Sequence, residues 1–357
     1  MANSIFQTSP ADAVTRSVHW LRAGRAVLWL GGSGIGKSTM VHHDLAIALS
    51  KFHKGFNEKN PLKVEADIRC AYRDAVDMRG IPVADREAGV TRWLQPAELP
   101  TEGPCIIFID EIGQGSVPVQ NACMQLVLDR RLGNYVVPEN VYIIAASNRE
   151  EDGSYIRKMS AALRQRFAVI EITPNAHQFR LWGVANGLDR RILAATVMFS
   201  ELVEGWQGED VEGQQSTARE LTALDAILKD KSVEQTRANM LGFACDVLGE
   251  AHGLKVAPFI SDYDGHVKVR DIIKDPEGCR LPEVDKFDNA ISLTIALARF
   301  ATKDTVESVL KYIDRMEDKY RTLFATSFDE LNEAAKNNAY MQPIANDWKK
   351  KNDDLTG

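Results

Sequence analysis

The chain has no apolar stretch approaching the roughly 20 residues that a membrane-crossing helix needs, and Met1–Pro10 lack the charged-then-apolar order of a secretory leader. A membrane-spanning or exported protein is set aside on that ground, no membrane partner is expected, and cytoplasm is the expected location. Cysteine is sparse. The five in 357 residues (Cys70, Cys105, Cys123, Cys245 and Cys279) form no C-x-x-C pair and have no histidine at metal-ligand spacing, so they read as reduced, mostly buried thiols. A basic excess is also missing. The net charge of −7 excludes a protein that coats a nucleic-acid backbone over its whole surface, because neutralising phosphates needs clustered Lys and Arg. A local basic lining, as in a pore, is left open, and the short run Lys349–Lys351 reads as a solvated tail. Internal repeats and low-complexity tracts are absent as well.

What the chain does have is enough apolar content, 45% of 357 residues, to bury a sizeable core in two or three units. Strand-like runs alternate with helical patterns, which predicts an α/β fold with a parallel sheet covered on both faces. Five strands are expected: Val27–Leu30, Val64–Ala71, Cys105–Ile109, Val141–Ala146 and Val169–Ile172. Pro174-Asn175 marks a boundary. Beyond it only helices are expected, at Gln178–Ala185, Ile192–Val203, Arg219–Lys229, Arg237–Gly249 and Asp288–Phe300, with a mobile loop at Gly205–Gln215. The domains expected are 1–175, a nucleotide-binding core; 176–280, a helical lid; and 281–357, a C-terminal helical extension.

Gly31-Gly32-Ser33-Gly34-Ile35-Gly36-Lys37-Ser38-Thr39 fits the phosphate-loop pattern G-x-x-x-x-G-K-[ST], between a buried strand and a helix expected at Thr39–Ser50. Glycines let backbone N–H groups converge on phosphates at a helix N-terminus, Lys37 can reach the β and γ oxygens, and the Ser38 hydroxyl can ligate Mg²⁺. ATP and Mg²⁺ are the expected cofactors. Cys105-Ile-Ile-Phe-Ile-Asp110-Glu111 delivers two carboxylates at the end of an apolar strand, where ligands bind in open α/β sheets. Asp110 suits the Mg²⁺ shell, and Glu111 suits the task of orienting and deprotonating an attacking water. Val141-Tyr-Ile-Ile-Ala-Ala-Ser147-Asn148 repeats the design with an amide, for the attacking water or the γ-phosphate. Ala161-Ala-Leu-Arg164-Gln-Arg166-Phe167 precedes the fifth strand, too far along the topology to serve its own phosphates. Either arginine is placed to serve a neighbouring subunit as a finger supplied in trans.

In this order the motifs resemble those of AAA+ ATPases, and in detail the MoxR-like branch. Asp77-Met-Arg-Gly80-Ile-Pro82 is similar to that branch's D-x-x-G-x-P segment, and Gln125–Tyr135 resembles the helix and hairpin before its first sensor strand. Trp182–Leu188 is similar to the opening of its lid, and Thr217-Ala-Arg219-Glu resembles the segment carrying the second sensor arginine, with Ala218 in place of proline. The resemblance implies an AAA+ P-loop core, a nucleotide-contacting Arg219, an insert at about Arg73–Trp93, and a β-hairpin at about Gly133–Val141. It also implies a homo-oligomeric ring, a hexamer, with a protein client or adaptor such as a von Willebrand A-domain protein. The Arg-rich insert is read either as facing a pore or partner or as a solvated surface loop.

The leading functional expectation is therefore a chaperone-type ATPase that remodels a protein client. A nucleic-acid motor with the same inserts is the runner-up, disfavoured by the overall acidity. A nucleotide-gated scaffold is a third reading, against which the paired Asp110 and Glu111 argue, because a scaffold has no use for a water-activating acid. The guanine signature N-K-x-D is absent.

Overall fold

Continuous apolar runs are what strands buried on both faces require, and in the computed structural model of the chain they pair as such. Among the described residues the strands are β1 (Gln7–Thr8), β2 (Val27–Leu30), β3 (Val64–Arg69), β4 (Ile81–Asp85), β5 (Val90–Leu94), β6 (Cys105–Asp110), β7 (Arg131–Leu132), β8 (Tyr135–Val136), β9 (Val141–Ser147) and β10 (Ala168–Ile172). The residues described are 7–152, 157, 159–206, 213–261, 269–282, 287–302, 304–331, 347, 348 and 350. The chain divides into two units, Met1–Asn175 with Gln207–Glu212, and Ala176–Trp206 with Gly213–Gly357.

The first unit is a six-stranded sheet in the order β1-β10-β2-β9-β6-β3, parallel throughout. The sixth strand, against five expected, is the edge pair Gln7–Thr8, bonded beside Glu171 and Ile172. Two polar residues carry no hydrophobic period, so nothing in their composition announces a strand. Side-chain alternation splits the core in two. Leu28, Ile107, Ile109, Ile143 and Ala145 point to one face, under Val119, Ala122, Cys123 and Leu126 of helix Val117–Asp129. Val27, Trp29, Ile106, Phe108 and Ile144 point to the other, under helix Pro10–Arg22 and the helix spanning 37–50. Trp29 is fully buried on β2, and its indole N–H donates to Ser17 Oγ at 2.8 Å, which satisfies the one polar atom it takes into the core.

The helix after the phosphate loop begins at Lys37, two residues before the expected start, and passes through a π turn at Val41–Leu45. That wider turn keeps Val41, Leu45 and Leu49 on the sheet while His42 and His43 face solvent. The segment expected as an insert is a short helix, Ala75–Arg79, leading into the antiparallel ribbon β4–β5. All five residues of β5 are exposed. The second hairpin, β7–β8, starts at Arg131 rather than Gly133, because Gly133-Asn134 form its turn, with Gly133 at φ +60°.

The second unit is helical among its described residues. Helix Ala176–Ala185 starts slightly before the expected Gln178, and the helices Ala218–Lys229, Arg237–Leu248 and Phe287–Phe300 lie close to their expected bounds. The single helix expected at Ile192–Val203 is two, Arg190–Met198 and Glu201–Glu204. Phe199 leaves the helical region at φ −131°, ψ 79°, and its ring packs edge-on against Phe259. One hydrophobic cluster runs from Ala176 to Trp348, so the segments 176–280 and 281–357 share a core. Residues 207–212 of the expected mobile loop lie outside the described residues. No described helix is long and apolar enough to cross a membrane.

Gly80 closes the base of the β4–β5 ribbon at φ +88°, and a Cβ there would lie 1.8 Å from the Leu94 carbonyl oxygen. Gly80→Ala is expected to lower stability by about 1–3 kcal/mol and to open the ribbon to protease, with nucleotide binding unchanged. Limited proteolysis and a thermal melt check this.

Candidate nucleotide-binding site

Parallel register brings three strand ends to one edge. Leu30 of β2 lies beside Ser147 of β9, and Ile109 of β6 beside Ala145 of β9, so Gly31, Asn148 and Asp110 all emerge at the carboxyl edge of the sheet. The loop Gly31-Gly32-Ser33-Gly34-Ile35-Gly36 turns there through positive φ at Gly34 (+72°) and Gly36 (+89°), and Gly36 caps the helix that begins with Lys37 and Ser38. Thr39 is exposed one residue further on. A Cβ on Gly31 would sit 2.7 Å from Ile172 O and 2.6 Å from Ile35 Cδ1. The loop is thus packed against β10 with no room for a side chain.

Lys37 is buried, and its ammonium donates to Gly31 O (2.7 Å), Gly32 O (2.8 Å) and Asn148 Oδ1 (2.8 Å). The Ser38 hydroxyl donates to Asp110 Oδ2 at 2.8 Å, while Asp110 Oδ1 accepts from the Glu111 amide at 2.9 Å. Asp110 is thereby aimed at Ser38 by its own chain. Glu111 adopts a left-handed conformation, φ 54° and ψ 36°, and caps the turn Ile112–Gln114. A non-glycine residue there is strained by roughly 1–3 kcal/mol, a cost that clusters at functional sites. The loop Gly31–Gly36, Asp110, Glu111 and Asn148 thus lie together at one edge of the sheet.

These residues fit the groups expected of them. The cradle admits backbone N–H groups close to a bound anion, at the N-terminus of a helix spanning 37–50. A hydroxyl and a carboxylate 2.8 Å apart offer hard oxygens for Mg²⁺. Among the described residues no cluster of three or more His, Cys, Asp or Glu could cage a metal.

Arg164 and Arg166 lie at the opposite end of the sheet. Arg164 closes the short helix Ala161–Arg164, and Arg166 donates to Ala162 O at 2.9 Å. Ala168, two residues on, pairs with Val27, four residues before Gly31, a separation of about 13 Å at ~3.3 Å per strand residue. Arg219 belongs to the second unit, exposed in the first turn of helix Ala218–Lys229 behind the Thr217 N-cap. Arg191 in the same unit is buried and engaged with Asp189, Gln235 and the Ile260 carbonyl.

Sequence reading missed a neighbour of Asn148. Arg149 forms a fork with Asp152, Nε to Oδ2 at 2.8 Å and Nη2 to Oδ1 at 2.8 Å, and reaches Glu171 Oε1 at 3.3 Å. The Asp152 hydrogen bonds are the main cause holding this guanidinium above its ordinary pKa; burial opposes them, and the Asp152 and Glu171 charges add. The available signal was Glu171 itself, a single acid inside the apolar run Ala-Val-Ile-Glu-Ile.

No protein-family model and no curated protein sequence matches the chain. Solved structures do. A RuvB mutant from Thermotoga maritima overlaps 74% of this chain and 74% of its own at 16% identity and a TM-score of 0.38. NtrX from Brucella abortus in complex with ADP overlaps 98% of this chain and 69% of its own at 12% identity and a TM-score of 0.38. A second RuvB mutant from Thermotoga maritima overlaps 84% of this chain and 85% of its own, at 16% identity and a TM-score of 0.38. Overlap at this level leaves the chemistry of the site to its own geometry.

A methyl on Gly31 must displace either Ile35 or β10. Gly31→Ala is expected to weaken ADP binding at least about tenfold, the equivalent of ~1.4 kcal/mol, with an unchanged far-UV circular dichroism spectrum. Titration with a fluorescent ADP analogue measures it.

Proposed function

We propose that the chain is an AAA+ ATPase of MoxR-like type, which converts ATP and water to ADP and phosphate and works as a homo-oligomeric ring, a hexamer, on a protein client. The observation that carries the ATPase reading is the convergence of Lys37, Ser38, Asp110, Glu111 and Asn148 on one sheet edge. Loop amides from Gly31 to Thr39 bind the phosphates, and Lys37 neutralises the oxygens around the γ-phosphorus. Ser38 and Asp110 would hold Mg²⁺, which supplies charge neutralisation on the β and γ oxygens when bound. Asn148 orients a water, and the Glu111 carboxylate takes its proton as the new P–O bond forms and the bond to the β-phosphate oxygen breaks.

The ring reading rests on Arg164 and Arg166. Both sit at the amino edge of the sheet, about 13 Å or more from the loop of their own subunit, where a guanidinium is useful only to a neighbour. Arg219 is the proposed lid arginine. The protein-client reading is supported by the exposed β4–β5 ribbon, which presents Ile81, Val90, Trp93 and Leu94 to solvent, and by the MoxR-like resemblance, which brings a von Willebrand A-domain partner with it.

Lys37→Ala is expected to abolish tight ATP binding, whereas Glu111→Gln keeps binding and loses turnover by a factor of ~10² or more, as removal of a catalytic base does. Phosphate release and equilibrium binding separate the two, and wild-type turnover in Glu111→Gln sinks the assignment.

Mixing tests the ring. Arg166→Ala subunits combined with Glu111→Gln subunits, each inactive alone, are expected to regain turnover, because some interfaces pair an intact Arg166 with an intact Glu111. No regain in mixed rings verified by native mass spectrometry counts against a finger in trans.

A further inference from the structure

We infer that Arg149, clamped between Asp152 and Glu171, is a positioning residue that sets the Asn148 amide in the nucleotide site. The inference rests on the role proposed above for Asn148 and adds the device that holds it there.

Asn148 is the first residue past the end of β9, where the sheet no longer dictates its backbone. Its side chain nevertheless meets Lys37 at 2.8 Å. The next residue supplies the constraint. The Arg149 backbone is closed into a turn with Asp152, its N–H donating to Asp152 Oδ2 at 3.0 Å and its carbonyl accepting from the Asp152 N–H at 3.0 Å. The Arg149 side chain then binds the same carboxylate as a two-pronged fork and continues to Glu171. Asp152 is 4% exposed and Glu171 8% exposed, so both carboxylates are spent inside the protein.

Glu171 determines what Arg149 is tied to. It pairs with Leu30, the residue before the phosphate loop, and is followed by Ile172, whose carbonyl oxygen closes on Gly31. The strand that packs the loop is thus the strand that anchors the residue beside Asn148. Holding one half-buried guanidinium between two buried carboxylates is a poor way to gain stability, since apolar side chains of similar volume do as well. It is a good way to fix a direction, because a planar fork accepts one geometry. An amide misplaced by about 1 Å costs ~10² in rate, which is what the clamp prevents.

The test is a double-mutant cycle on ATP turnover, with fluorescent-ADP affinity measured on every variant. Arg149→Ala and the shape-preserving Glu171→Gln are each expected to lower kcat about tenfold or more while ADP affinity stays within about threefold. Arg149→Lys is expected to restore little, since one ammonium cannot span both carboxylates. In an Asn148→Ala background, the further loss from Arg149→Ala or Glu171→Gln is expected to shrink to under about twofold, because the group they position is gone. The same loss in both backgrounds, wild-type kcat in both single variants, or a parallel collapse of ADP affinity overturns the clamp. Should Arg149→Ala fail to fold, the Glu171→Gln arm of the cycle decides alone. Wild-type turnover in Asn148→Ala overturns the role of Asn148 and the clamp with it, whereas an impaired Asn148→Ala with additive losses overturns the clamp only.

Discussion

Everything at the candidate site follows from one constraint, the parallel register that joins β2 to β9 and β9 to β6. Parallel neighbours run in the same direction, so chain segments far apart in sequence leave the sheet at the same edge and at nearly the same height. Leu30 beside Ser147 places Asn148 over the phosphate loop, and Ile109 beside Ala145 places Asp110 against Ser38. A slip of one residue in either ladder would turn each side chain to the other face. The two-sided burial of β2, β6 and β9 makes such a slip costly, because Val27 and Trp29 belong to one core and Leu28 and Leu30 to the other.

What was legible in the chain was legible for the same reason. Strands covered on both faces must be apolar at every position, and the runs Val-Leu-Trp-Leu and Cys-Ile-Ile-Phe-Ile announce themselves without help from distant residues. The phosphate loop is legible because its glycines answer a local demand for positive φ and close backbone approach, seen at Gly36 and Gly31. The rest depended on partners far away in sequence. Gln7–Thr8 is a strand only because Glu171 and Ile172 offer it an edge, and the break at Phe199 follows from a ring contact with Phe259. Arg149 looked like ordinary loop chemistry after Asn148. Its meaning comes from Glu171, 22 residues on.

The two opposite edges of the sheet carry different sets of polar residues. The carboxyl edge collects Lys37, Ser38, Asp110, Glu111 and Asn148, while the amino edge holds Arg164 and Arg166. Strand length sets the distance between them, about 13 Å over the four residues from Val27 to Gly31 at ~3.3 Å each. The strained backbone of Glu111 and the half-buried ion cluster at Arg149 lie on the carboxyl side only. Departures from the cheapest local structure accumulate where chemistry is proposed, and the core beneath them is conventional.

The interleaved strand order also has a meaning in time. β2 is synthesised well before its sheet neighbours, which begin at Val141 and Ala168, more than a hundred residues later. Until then Val27, Trp29 and the loop that follows have no ladder to join, and the helix after the loop has only part of a sheet to lie on. Such non-local pairing is slow to form and leaves apolar segments uncovered while the ribosome is still working. A nascent chain that stops short of Ile172 therefore lacks the backbone carbonyl that closes on Gly31, and the loop has no wall to settle against.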